Sequence, residues 1–431
     1  MSSQLSLMGL VSRLATVGRD TTRKGVGSCL RPHTELGNTT LPRNSPIPGP
    51  REFLACPGAA KPRAPLARAL TVGVASLAMG IMPAGPASAG PGGPVALPVD
   101  CSAGDTITGA LLTASTMFEP VIITVNGVCK ERVVIARDDV TIEAGPKGAT
   151  LDGAGLSGYE ALVTVAAAHR VVLHSLTLLP DGIPGLDLDP GAVVSASALE
   201  ISDASMGIIL RDGSQLTLSA SSILESKETG ISNAGGALDI TGTNVAKGSS
   251  AGVSVDGGSL RMSSSHVDDN DSWGVSVTSA ANATITSSSM DRNAVGLFVR
   301  LGGSVLTGTA TTLNENKGEG VRVWDGSSVL LGIGTTVAAN GLSGVEVEGG
   351  SILVPQKITI KANGSHGIEV RDTSLVKSTS GQFPKIYSNA GWGVVCEGAP
   401  GDARLSSPGF PATAVFGNAS GQLNCPGYFL P

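Results

Sequence analysis

A short strand opened by glycine recurs nine times at intervals of 22–26 residues, led by Gly207, Gly230, Gly252, Gly274, Gly296, Gly320, Gly344, Gly367 and Gly393. The downstream copies read Gly252-Val-Ser-Val, Gly274-Val-Ser-Val, Gly296-Leu-Phe-Val, Gly320-Val-Arg-Val, Gly344-Val-Glu-Val and Gly367-Ile-Glu-Val. Apolar residues at the first and third positions after the glycine, with a free choice between them, give the period of a half-buried strand. A second strand follows each turn, as in Ser214-Gln-Leu-Thr-Leu, Ser259-Leu-Arg-Met and Ser328-Val-Leu-Leu. A third apolar position and then an asparagine close the copy: Val267 and Asn270, Met290 and Asn293, Leu313 and Asn316, Val337 and Asn340, Ile360 and Asn363, Ile386 and Asn389. Three strands and three turns in two dozen residues make one coil. A lone coil cannot bury its apolar face, so coils must stack into a solenoid.

Helical repeats need long stretches of 3.6-residue periodicity, which this chain lacks, and leucine-rich repeats need a different consensus. With 59 glycines and 41% hydrophobic residues, the composition suits small inward side chains. The pattern apolar-x-x-Asn, short turn, Gly-Val-x-Val resembles that of bacterial secreted right-handed parallel β-helix proteins of the pectate-lyase-like fold, over residues 98–425. The resemblance implies an all-β, single-stranded, right-handed parallel β-helix with a short N-terminal capping helix. Asp105–Ser115 fits that helix, with Ile107, Leu111 and Leu112 on its apolar side. The resemblance does not select an activity, because lyases, hydrolases, epimerases, adhesins and scaffolds share the fold. The asparagines, at one position per coil, are expected to stack about 4.8 Å apart and hydrogen-bond up the ladder.

Residues 1–60 are rich in Arg, Pro, Ser and Thr without periodicity and read as disordered or as an extension beyond the true start. Lys61, Arg63 and Arg68, the apolar run 69–82 and Ala87-Ser88-Ala89 read as a secretory signal peptide over 61–89, cleaved after Ala89. That run is too short to span a bilayer, so the mature protein is expected to be extracellular or periplasmic with no transmembrane segment. Cys29 and Cys56 precede the cleavage site. Cys101, Cys129, Cys396 and Cys425 remain, an even number that suits an oxidising compartment. Of three possible pairings, Cys101–Cys129 and Cys396–Cys425 is the economical one, stapling each end. The expected plan is an N-terminal cap and first coils over 98–160, repeats over 161–397 and an irregular cap over 398–431. Pro180–Gly185 reads as a protruding loop.

The formal charge of −6 and the scarcity of clustered Lys and Arg argue against nucleic acid and leave glycans, cationic partners or calcium. Side chains alternate along a strand, so the second and fourth positions after each glycine point outward. Coil by coil this outer face carries Ser276 and Thr278, Phe298 and Arg300, Arg322 and Trp324, Glu346 and Glu348, Glu369 and Arg371. Glu346 and Glu369 are expected about 5 Å apart in adjacent coils, a separation compatible with an acid/base or acid/nucleophile pair acting on a glycoside. Arg322 and Arg371 suit uronate carboxylates, Trp324 a sugar ring, and Glu348 a flanking contact. Cross-strand ion pairing on a solvated face explains the same residues. Asp268, Asp291 and Asn314 form a second column whose oxygens suit calcium. Two functions follow: a polysaccharide-binding or polysaccharide-modifying β-helix (a lyase, hydrolase or epimerase if an enzyme), or a non-catalytic adhesive scaffold at the cell surface. No intact catalytic motif decides between them. Gly364-Ser-His-Gly is interrupted, and its His366 lies coils away from Asp269.

Overall fold

A computed structural model describes residues 93–377, 379, 381–398, 404–405, 410–411 and 413–425. The expected extension, the export segment and its cleavage site at Ala89 lie outside the described residues. The glycine-led strands form one parallel sheet of 13 strands, from Val133–Ile135 to Gly421–Asn424. Rungs therefore extend beyond the nine glycine-led copies in both directions. The stretch before Gly207, irregular in sequence, supplies the regular rungs Val163–Val165 and Leu186–Leu188. The C-terminal region, expected to be irregular, adds Val415–Phe416 and Gly421–Asn424 in register with the stack.

Ile208, Ile231, Val253, Val275, Leu297, Val321, Val345 and Ile368 are successive Cα partners. All have 0% exposure, so they are the inward stack that the alternation predicts. The second strands of each coil stack likewise, with Gln215–Ser219, Ala237–Thr241, Ser259–Ser263, Asn282–Thr286, Ser304–Thr307, Ser328–Leu331 and Ile352–Pro355 paired in turn. Their inward residues, such as Leu216, Leu238, Leu260 and Val329, close the other side of the core. The architecture is a parallel β-helix.

Asparagine and glycine act together at one corner. Asn340 Nδ2 donates to Asn363 Oδ1 at 2.9 Å, Asn363 to Asn389 at 2.8 Å, and Asn389 to Asn418 at 2.8 Å. Each backbone N–H in this run also donates to the next asparagine's Oδ1. Asn418 is a rung of the ladder that the sequence pattern did not include. A Cβ on Gly320 would lie 2.5 Å from Val337 Cγ1 and 2.8 Å from Asn340 Nδ2. The column is glycine because the amide ladder occupies the space a side chain would need.

Both ends are closed. The helix Ile107–Ala114 is capped by Thr106, whose side chain accepts from the Gly109 N–H. It buries Ile107, Leu111 and Ala114, whereas Leu112 is 72% exposed. Neighbouring residues sit about 100° apart on a helix, so Leu111 and Leu112 cannot both face the barrel. Disulfides join Cys101 to Cys129 and Cys396 to Cys425, as the end-staple expectation requires. Pro180–Gly185 does not protrude. Ile183 is 3% exposed, Pro184 accepts from the Leu162 N–H and Gly182 donates to Asp203, so the loop is part of the coil. Among the described residues no helix is long and apolar enough to cross a membrane.

Candidate functional site

The strands place Arg322, Glu346 and Glu369 side by side on the outer face of the glycine-led sheet, with Arg322 partnering Glu346 and Glu346 partnering Glu369. The arginines then divide the carboxylates between them. Arg322 Nε donates to Glu346 Oε2 at 2.8 Å, and Arg371 Nη1 donates to Glu346 Oε1 at 2.6 Å. Arg371 also pairs with Glu369, and its Nε donates to Glu397 at 3.1 Å. Ser343 Oγ donates to the other Glu369 oxygen at 2.7 Å. Arg322 Nη2 lies 2.8 Å from Glu319 Oε2, a charge contact without hydrogen-bond alignment. Glu346 and Glu369 are only 4% and 7% exposed. Burial pushes the Glu346 carboxyl up, against the pull of Arg322. Burial opposes the charge on Arg371, but Glu369, Glu346 and Glu397 outweigh it and hold the guanidinium charged. Glu348 stands half-buried beside this network without an ion pair among the described residues.

Trp324 belongs to an aromatic column. It meets Phe298 edge-on at 5.5 Å, and Phe298 stacks on Trp273 at 5.0 Å. The Arg322 guanidinium lies over the Trp324 ring at 4.7 Å, so one face of the expected sugar platform is already covered.

The Asp268 column is a capping ladder. Asp268 accepts from Ser289 Oγ and from the Asp291 N–H at 2.8 Å. Asp291 accepts from Thr312 Oγ1 at 2.9 Å and from the Asn314 N–H at 2.7 Å. Burial pushes the Asp291 carboxyl up, which the backbone donor at Asn314 opposes. Asn314 Oδ1 is buried with no donor among the described residues. Arg292 grips Asp269 through two bonds of 2.8 and 2.9 Å and lowers its pKa. Among the described residues, the one group with three potential metal ligands in reach is Cys101, Cys129 and Glu131, and its two cysteines form a disulfide. His366 accepts from the Trp392 N–H at 2.9 Å, the bond of a turn residue.

A different surface is open. On the second-strand stack, Leu216, Leu238, Leu260 and Ala283 point inward, and Thr217, Asp239, Arg261 and Thr284 form an outward column in consecutive register. These residues, with Gln215 and Asn282, line a depression of about 460 Å³. Gly235 and Gly257, at φ 85° and 73°, turn the chain beside it without raising a side-chain wall. Asp239 and Arg261 are Cα partners, yet neither side chain makes a hydrogen bond or ion pair with any described residue. The outward positions of the second strand follow the same alternation as those of the first. The alternation in Gln215-Leu-Thr-Leu and Ser259-Leu-Arg-Met contains the signal.

Residues 184–340 match the family model described as "Right handed beta helix region", which gives the solenoid its hand. No curated protein matches the sequence. Similar solved structures include the A-module of mannuronan C-5 epimerase AlgE6 from Azotobacter vinelandii, 14% identical with a TM-score of 0.49, covering 70% of this chain and 93% of that one. The periplasmic alginate epimerase AlgG, as a double mutant, is 12% identical at TM-score 0.47, covering 71% and 77%. Tailspike protein 3 of bacteriophage CBA120 is 12% identical at TM-score 0.47, covering 77% and 62%. Likenesses this remote carry no inference about activity.

Proposed function

We propose that this protein is an exported polysaccharide-binding solenoid and that the trough over Thr217, Asp239, Arg261 and Thr284 holds an acidic glycan. The observation that carries this reading is the pair Asp239 and Arg261, adjacent in register in a concave polar surface and without internal partners. A guanidinium presents a planar fork suited to a carboxylate, so Arg261 takes a uronate carboxylate. Asp239 accepts a sugar hydroxyl, and Gln215, Asn282 and the two threonines supply neutral donors and acceptors. Four rungs at about 4.8 Å spacing give a line of roughly 14 Å along the solenoid axis, a regular comb for a polymer of repeating sugars. The two end disulfides suit an oxidising compartment.

Calorimetric titration of the full chain with tetragalacturonate tests the reading. Arg261→Ala and Asp239→Ala should each weaken binding at least tenfold, while Glu346→Gln leaves it unchanged. Unchanged affinity in both trough variants, or failure of the unaltered protein to bind, overturns the reading. A loss seen only with Glu346→Gln moves the site to the glycine-led sheet.

A further inference from the structure

The outward column that forms the trough does not stop at Thr284. Its next Cα partners are Leu306, Leu330 and Val354, while the neighbouring column runs through Ser304, Ser328, Ile352 and Leu375 to Arg404. Leu306 is 43% exposed and Ile352 40%, while Leu330, Val354 and Leu375 are half-buried. Within the neighbouring column, Ser328 Oγ bonds to Ser304 Oγ at 3.3 Å. The column that lines the trough thus changes from polar and charged to apolar at a single rung boundary, between Thr284 and Leu306.

We infer that the ligand of this face is an acylated glycan, whose sugar lies in the trough and whose hydrocarbon chain lies along Leu306, Leu330 and Val354. The inference rests on the glycan reading of the trough. An extended ligand that follows the column must change from polar to apolar where the column does, and a sugar carrying a fatty chain has that form. A second copy of the chain fits less well. A two-fold axis at the boundary would set the polar trough against the apolar stripe, and an axis on the stripe would bury only a few side chains. Stable interfaces bury about 800 Å² and 20–30 residues per partner.

Two probes separate the inference from its premise: tetragalacturonate, and the same tetrasaccharide bearing a dodecyl chain at its reducing end, titrated below its micelle concentration. The dodecyl probe should bind the unaltered chain at least tenfold more tightly. Leu306→Ser and Leu330→Ser should each remove most of that gain and leave the plain tetrasaccharide's affinity unchanged, which also reports that the variants are folded. Equal affinity for the two probes overturns the acyl inference while leaving the glycan reading intact. Absence of binding by both probes overturns both. A gain that survives in both serine variants places the chain elsewhere and overturns the inference. So does a concentration-dependent dimer that Leu330→Ser abolishes, which gives the stripe to a second copy.

Discussion

Two outer faces of one solenoid set an arginine beside a carboxylate, and they do opposite things with the pair. On the glycine-led sheet, Arg322 sits one rung before Glu346 and Arg371 on the rung of Glu369, and the two arginines consume the carboxylate oxygens, with bonds of 2.8 and 2.6 Å to Glu346. On the second-strand stack, Arg261 and Asp239 share a register position and remain unpaired. The first face is closed by the long side chains around it. Glu346 and Glu369 are buried, and removing one partner leaves the other charge stranded in a poorly solvated place. The second face is bordered by glycine turns and short hydroxyl side chains, so water reaches both charges and pairing offers little. A dense cluster of charge is therefore a weaker sign of a binding site than a sparse one that its own fold leaves unsatisfied.

The largest expected effect tests the core that both faces share. Val321→Asp places a carboxylate at 0% exposure between Leu297 and Val345. It should cost more than about 4 kcal/mol, since no partner accompanies the buried charge. Loss of the cooperative urea transition, or a large fall in its midpoint, is the expected reading, and a midpoint near that of the unaltered protein would contradict the inward stack.

The next effect addresses the contrast itself. Glu346→Ala removes the carboxylate that Arg322 and Arg371 share and should destabilise by about 2–4 kcal/mol, the lower end reflecting the partial exposure of both arginines. Arg261→Ala should stay within about 0.5 kcal/mol, as for a surface position away from special features. Equal costs in parallel urea titrations would mean that the two faces are not different in kind.

Asp291→Ala is a smaller test. Its carboxylate satisfies the Asn314 N–H and the Thr312 hydroxyl, so its loss should cost about 1–3 kcal/mol. Because those donors already occupy the oxygens, a chelator should leave the melting temperature of the unaltered protein where it is. A chelator-induced fall that Asp291→Ala abolishes would instead support the calcium reading of Asp268, Asp291 and Asn314.

The fold was legible in the sequence because its determinants are local and repeated. Val275, Val321 and Val345 announce an inward column by alternation, and Asn316, Asn340 and Asn363 announce a ladder by their fixed distance from a glycine. The rung at Val163 is harder to see because no glycine opens it, and Gly185-Leu-Asp-Leu carries the glycine signature without a regular copy before it. The site was legible in position but not in state. Register placed Glu346 between Arg322 and Glu369, but whether Arg371 would reach across a rung to Glu346 depends on side-chain conformation, which periodicity does not encode. The apolar continuation of the trough was readable as Leu306, Leu330 and Val354, but only once the second strands were aligned by their true partners.

The smallest expected effect lies in the pH dependence of the closed face. Burial raises the Glu346 carboxyl above its ordinary value of 4.5. A raised native value means that the folded chain holds the proton more tightly than the unfolded chain does. The contribution of the protonated form is then fully present below about pH 4.5 and is lost as pH rises through the native value. Glu346→Gln removes this titration without changing the shape of the side chain. The difference in unfolding free energy, unaltered protein minus variant, should therefore decline as pH rises above about 4.5. Urea titrations at half-unit pH steps would read it. A difference that grows with pH would show that the pull of Arg322 and Arg371 outweighs burial and that the carboxylate is held ionised. Ion pairing rather than burial would then decide the titration of the closed face, and its contrast with the open trough would lie in the partners its carboxylates have.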